Sequence, residues 1–162
     1  MVADYMTFSP LSRTWVFQAE KELTNEEIAR GKQLIQEFIG NWTSHRVDLP
    51  AFGDILHRRF LVFIADDQRV AVGGCSQDSL IRFVQLLGTE WNNPLLERTQ
   101  VAYRQTPDSS ISILPLDKLK DAYREGRIQD DTLMYDNLVN TLEKFEKAWL
   151  KPLKDSWHKR FV

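Results

Sequence analysis

A glycine pair runs directly into a cysteine and a polar stretch at Gly73-Gly74-Cys75-Ser76-Gln77-Asp78-Ser79. Downstream, Leu80, Phe83, Val84 and Leu87 recur at helical spacing, so the glycines form a turn that opens a helix. Such an entrance exposes several backbone N–H groups at the positive end of the helix dipole and can hold an anion. Gly74, Ser76, Asp78 and Ser79 are therefore the expected ligand-binding residues. A sulfur anion at Cys75 would feel the same potential, which is the setting of a nucleophilic or redox-sensing cysteine. A structural reading competes with both: Ser76 caps the helix, Asp78 complements the dipole, and Cys75 is a small buried apolar residue.

A cysteine nucleophile needs a base within hydrogen-bond reach, and the histidines are His45, His57 and His158. None is linked to Cys75 by a motif. His57, in the weakly patterned 43–58 segment, is the candidate base, and Ser76 or Asp78 would orient it. One cysteine and three scattered histidines lack any metal-ligand spacing, so no metal and no cofactor are expected. Two basic clusters occur, at His57-Arg58-Arg59 and at Lys151, Lys154, Lys159 and Arg160. The second is interleaved with Trp149, Trp157 and Phe161, a mixture that suits phosphorylated ligands or single strands, or simply a solvated C-terminal helix whose aromatics dock on the body. The chain has no G-x-x-x-x-G-K-[ST], no G-x-G-x-x-G after a strand, no H-E-x-x-H and no G-x-S-x-G.

The elements that must position these residues can be read from period and punctuation. Thr14-Trp15-Val16-Phe17-Gln18 is aromatic and β-branched and reads as a strand. Thr24 with Glu27 is a capping box and Leu23 with Ile28 a staple, so a helix starts there, with Ile35, Phe38, Ile39 and Trp42 on its buried face. The 43–58 segment, broken by Pro50 and Gly53, reads as loop with a helical turn. Residues 59–65 form an apolar strand, and Asp66-Asp67-Gln68 offers a turn into a second strand at 69–72. Strands follow at 99–103 and 110–114, then a short helix opened by Pro115 and closed by Gly126. Leu138, Leu142, Phe145 and Trp149 predict a long helix that Pro152 ends.

This succession predicts an α+β fold: a mixed or antiparallel sheet packed by helices in two layers, with a ferredoxin-like core and a C-terminal helical extension. At 162 residues, 43% apolar and 27% charged, one domain spanning 1–162 is expected. A net charge of −2 with mixed signs gives no basic field for nucleic acid. No run of about 18 apolar residues spans a membrane. The lone Cys75 excludes an intramolecular disulfide and the first residues are unlike a secretory signal, so a cytoplasmic location is expected.

Gly74-Cys75-Ser76-Gln77-Asp78-Ser79, the 14–18 strand and the ending Asp155-Ser156-Trp157-His158-Lys159-Arg160-Phe161 together resemble an uncharacterised bacterial family over nearly the full length. Some of its members are labelled ABC transporter ATPases, but the missing phosphate loop gives that label no support here. Leu116-Asp117-Lys118-Leu119, Gly126-Arg127-Ile128 and Asp131-Thr132-Leu133 are similar to the pattern of GYF-like peptide-binding modules, with an incomplete aromatic signature. The reading that results is a small binding or interaction protein whose partner is a small anionic ligand or another protein, with a homodimer allowed. The alternative is a cysteine-dependent enzyme or redox sensor using Cys75.

Overall fold

The computed structural model describes residues 4–68 and 70–162. After a 3₁₀ turn at Tyr5–Thr7, the chain forms β1 (Arg13–Gln18) and α1 (Asn25–Gly40). Thr24 caps α1 as expected: its hydroxyl accepts from the Glu27 N–H while the Glu27 carboxylate accepts from the Thr24 N–H. Next come β2 (Thr43–Ser44), β3 (Val47–Asp48), β4 (Ala51–Leu56), β5 (Phe60–Ala65) and α2 (Gly74–Glu90). The second half comprises β6 (Gln100–Arg104), β7 (Ser112–Pro115), α3 (Leu119–Arg124), β8 (Leu133–Tyr135), α4 (Leu142–Ala148) and β9 (Leu150–Pro152), closing in 3₁₀ turns at Leu153–Asp155 and Trp157–Phe161.

The α+β class, with antiparallel sheets packed by helices, is as the sequence implies. One sheet has the order β1-β5-β4 and another the order β7-β6-β8-β9, all antiparallel, with β2 and β3 pairing as a separate ribbon. The ferredoxin-like order is not followed, because β6, expected to complete the first sheet, pairs with β7 and β8 instead. β5 is apolar throughout because both its faces are covered. Leu61, Phe63 and Ala65 face the cluster that contains Ile35, Ile39 and Leu80 of α1 and α2. Phe60, Val62 and Ile64 face a second cluster, shared with Ala102, Tyr135 and Trp149 of the other sheet and its surroundings. That sheet turns Val101, Leu114 and Met134 toward Leu119 and Ala122 of α3. Each sheet with its helices is a two-layer unit, and the units meet sheet to sheet.

Three local expectations are corrected. The 43–58 segment is not loop with a helical turn but three strands, with β4 packed under α1. The hairpin partner of β5 is β4, not 69–72; Arg69 lies outside the described residues, and Val70 to Val72 form no strand. The long C-terminal helix is only Leu142–Ala148, because Thr141 caps it late and the chain beyond Trp149 extends to pair with β8. No helix among the described residues is long and apolar enough to cross a membrane.

Candidate functional site

The turn at 73–79 is a helix entrance, as expected, but its groups are allocated differently. Gly73, not Ser76, is the N-cap of α2, in extended conformation and without a side chain to cap with. Its N–H donates to Ser44 Oγ at 3.2 Å, and the Ser44 hydroxyl donates to the Ala71 carbonyl at 2.6 Å, so the β2–β3 ribbon latches the approach to α2. Ser76 is turned inward and 5% exposed, with its hydroxyl donating to the Thr43 carbonyl at 2.8 Å. The Trp42 indole N–H donates to the Ser76 carbonyl, and the Ser79 hydroxyl donates to the Cys75 carbonyl. Ser76 and Ser79 therefore serve the fold with their hydroxyls. Asp78 is exposed and lies beyond the first turn, where the dipole has faded.

What remains open is backbone. The N–H groups of Gly74, Cys75 and Ser76 have no acceptor among the described residues, as the first turn of a helix dictates. A Cβ built on Gly74 would meet nothing within 4 Å, so the turn is open to solvent there. Two cationic or polar groups flank it. A Cβ at Gly73 would meet His45 Nε2 at 3.4 Å, and the Arg13 guanidinium donates to Gln77 Oε1 at 3.2 Å. His45 and Arg46 form the two-residue turn between β2 and β3, at φ 52° and 66°, a left-handed conformation that costs roughly 1 kcal/mol per side-chain-bearing residue. Cys75 is exposed, not buried as the structural reading had it.

His57 is not brought to Cys75. It sits in the β4–β5 turn at φ 53°, its ring 6.0 Å from that of Trp149 and 26° from parallel. Burial, then the nearby Arg104 charge, lowers its pKa. Arg13 pairs in register with Ala65 and also reaches Gln77, which fixes the start of α2 at the far end of β5. A six-residue strand, roughly 20 Å, separates that end from His57. Among the described residues no group of three or more His, Cys, Asp and Glu is placed to hold a metal ion.

A different cluster, dispersed in sequence, gathers where the two sheet units and the C-terminal turn meet. His158 is 2% exposed; its Nδ1 lies 2.6 Å from Ser156 Oγ. Burial pushes its pKa down to about 4, opposed by Asp136 and assisted by Lys151, so the ring is neutral at pH 7. Asp136 accepts from Lys151 Nζ at 2.8 Å and from the Trp157 indole at 3.1 Å. Asn137 donates to Gln18 Oε1 and accepts from the Trp149 indole, while Gln18 donates to the Gln100 carbonyl. A cavity of about 80 Å³ lies beside this network, with His158, Gln18 and Asn137 in its wall. From sequence His158 is one of three scattered histidines in an aromatic and basic tail, because Gln18, Asp136, Asn137 and Lys151, which complete the network around it, are remote along the chain. The one signal available was the crowding of Trp157 and Phe161 around it. No family model matches the chain, and neither the curated proteins nor the solved structures include a protein similar to it.

Proposed function

We propose that the chain is a binding protein that takes a small anionic ligand at the amino end of α2. The observation that supports this most is the open first turn, where the amides of Gly74, Cys75 and Ser76 lack internal acceptors and Arg13 and His45 flank them. The ligand contact assigned to Ser76 then belongs to its backbone N–H, and Ser79, whose N–H lies past the first turn of the helix, makes none. A reducing compartment such as the cytoplasm suits the exposed, unpaired Cys75. The bacterial resemblance adds no activity, since its ATPase label has no phosphate loop behind it.

The test is thermal. Phosphate or sulfate should raise the melting temperature above that in chloride at equal ionic strength, through mass action on the folded state. Gly74→Glu places a carboxylate in the open space without a clash and should abolish the gain. Equal melting temperatures in all three salts would remove the reading.

A second reading uses Cys75 as a nucleophile or redox sensor, favoured by its exposure. The base would then be His45, the histidine beside the turn, in place of His57. A thiol reagent should label the native protein faster than an unstructured cysteine peptide at pH 6, and His45→Gln should slow it. Labelling no faster than the peptide leaves only the binding reading.

A further inference from the structure

A sheet edge carries a row of unpaired N–H and C=O groups, and proteins ordinarily blunt it with side chains, proline, charge or a covering segment. Three of the four edges of the two main sheets are blunted in this way. Along β1, the Thr14 N–H donates to the Asn140 carbonyl at 3.1 Å and Arg13 forms an antiparallel bridge with Thr141. On β4, Gln36 Nε2 donates to the Gly53 carbonyl at 3.2 Å, and the Asp54 carboxylate accepts from the Ile55 N–H at 2.7 Å. β9 is only 3 residues long and ends in Pro152.

β7 is the exception. Just past its end the Leu116 N–H donates to the Thr99 carbonyl at 2.8 Å, and within it Leu114 and Ser112 lie opposite Val101 and Tyr103 of β6. An antiparallel ladder bonds alternate residues, so Leu114 and Ser112 spend their backbone groups on β6 and Ile113 turns its N–H and C=O outward. Neither those groups nor the N–H and C=O of Ile111 have a partner among the described residues. Pro115 has no N–H and stops the open ladder at one end. The strand also carries no charge, whereas Arg13, Asp54 and Lys151 lie on β1, β4 and β9.

We infer that β7 pairs with β7 of a second copy of this chain, antiparallel across a two-fold axis, so that two four-stranded sheets become one continuous sheet. The spacing of the open groups selects this occupant. With the axis at Ser112, Ile111 of each copy lies against Ile113 of the other, and each such pair exchanges two hydrogen bonds. Every open donor and acceptor of the two isoleucines is then used, and the missing Pro115 N–H is not needed. A two-fold contact also sets the strand against itself, where a charged residue would meet its own kind; Ser112, Ile113, Leu114 and Pro115 bring none. Ile111 and Ile113 are half-buried against the core between the sheets, and the pairing covers more of both. The contact is short, which makes the dimer a transient one. It shares no residue with the α2 entrance, so the two stand or fall separately.

Sedimentation of the full chain should show a monomer–dimer equilibrium with a Kd on the order of 0.1 mM. The Ile111 and Ile113 amides should gain protection from hydrogen exchange as the concentration rises. Ser112 is exposed and would face its own counterpart as the close, non-hydrogen-bonded pair at the axis, so a charge there reads the register without touching the core. Ser112→Lys and Ser112→Glu, with folding checked by circular dichroism, should each weaken the dimer about fivefold or more. An equal mixture of the two variants should pair at least as tightly as the wild type. A chain still monomeric at about 1 mM, or a dimer indifferent to both charges and to their mixing, would overturn the assignment.

Discussion

Trp157 lies flat on His158, with ring centroids 3.8 Å apart and planes 24° from parallel. The same indole donates to Asp136, which also accepts from Lys151. The C-terminal 3₁₀ turn, the residue after β8 and the middle of β9 are thus tied through one carboxylate. The Asp136–Lys151 pair is 12% and 21% exposed at its side chains, so removing one partner leaves a largely desolvated charge. Asp136→Asn should cost about 3 kcal/mol in denaturant unfolding, from the stranded Lys151 ammonium. Lys151→Met with Asp136→Asn should be less destabilised than the two single variants summed, by at least about 1 kcal/mol. Simple additivity would mean that the pair does not hold the tail.

His158 links the same cluster to pH. Its folded pKa of about 4 lies below the unfolded 6.5, so between those values the unfolded chain binds the extra proton. The stability that comes from keeping the ring neutral is complete above pH 6.5, falls as pH drops through the window, and is gone below about 4. The gap between 6.5 and about 4 corresponds to at most about 3.4 kcal/mol. His158→Phe keeps a flat ring under Trp157 but cannot titrate. Its unfolding free energy should start lower at pH 7 and lose about 2–3 kcal/mol less than wild type on going to pH 4. Parallel pH profiles would show that the ring is solvated.

The elements that sequence made legible are those whose signals are local. The Thr24–Glu27 capping box and the apolar run of β5 are complete within a few residues, and both form as read. The turn before β5 was illegible because His57 and Arg58 adopt φ 53° and 58°, a conformation that composition assigns to glycine or asparagine. Asp66-Asp67-Gln68 carried the better turn composition and attracted the hairpin to the wrong side. At the C-terminus, Leu138 falls in register with Leu142 and Phe145 by spacing alone, yet it is 55% exposed and precedes the Thr141 cap. Strand pairing between Leu150–Pro152 and β8 overrode the helical period there. The helix entrance at Gly73 was readable, but the duties of Ser76 and Ser44 were not, since both depend on the β2–β3 ribbon lying against it. The His158 cluster needed Gln18 and Asn137 to meet across the whole chain, which no spacing encodes.

The capping box offers a clean measure of a purely local device. Thr24 is exposed and contributes little by packing, while Glu27 is half-buried. Thr24→Ala should cost about 1 kcal/mol in chemical denaturation, and Thr24→Ser should restore most of it. A loss below about 0.3 kcal/mol would mean that the Leu23 and Ile28 contacts alone fix the start of α1.

Gly53 sets how closely α1 approaches β4. A Cβ there would lie 2.6 Å from Ile35 Cγ2, inside any tolerated contact, and 3.2 Å from Phe63 Cδ1, tighter than most, while Gln36 Nε2 donates to the Gly53 carbonyl across the same interface at 3.2 Å. Ile35 is fully buried and Phe63 is locked in the central strand, so neither can swing away into solvent. Gly53→Ala should therefore cost about 1–3 kcal/mol through overpacking, even though it reduces the entropy of the unfolded chain. Ile35→Leu removes the offending β-branch at nearly constant volume. In the Gly53→Ala background it should recover at least half of the loss, whereas alone it should be mildly destabilising. Denaturant unfolding of the four proteins measures the coupling directly. A double variant no better than the sum of its parts would place the strain at Phe63, and the separation of α1 from the sheet would then be set by the strand and not by the helix.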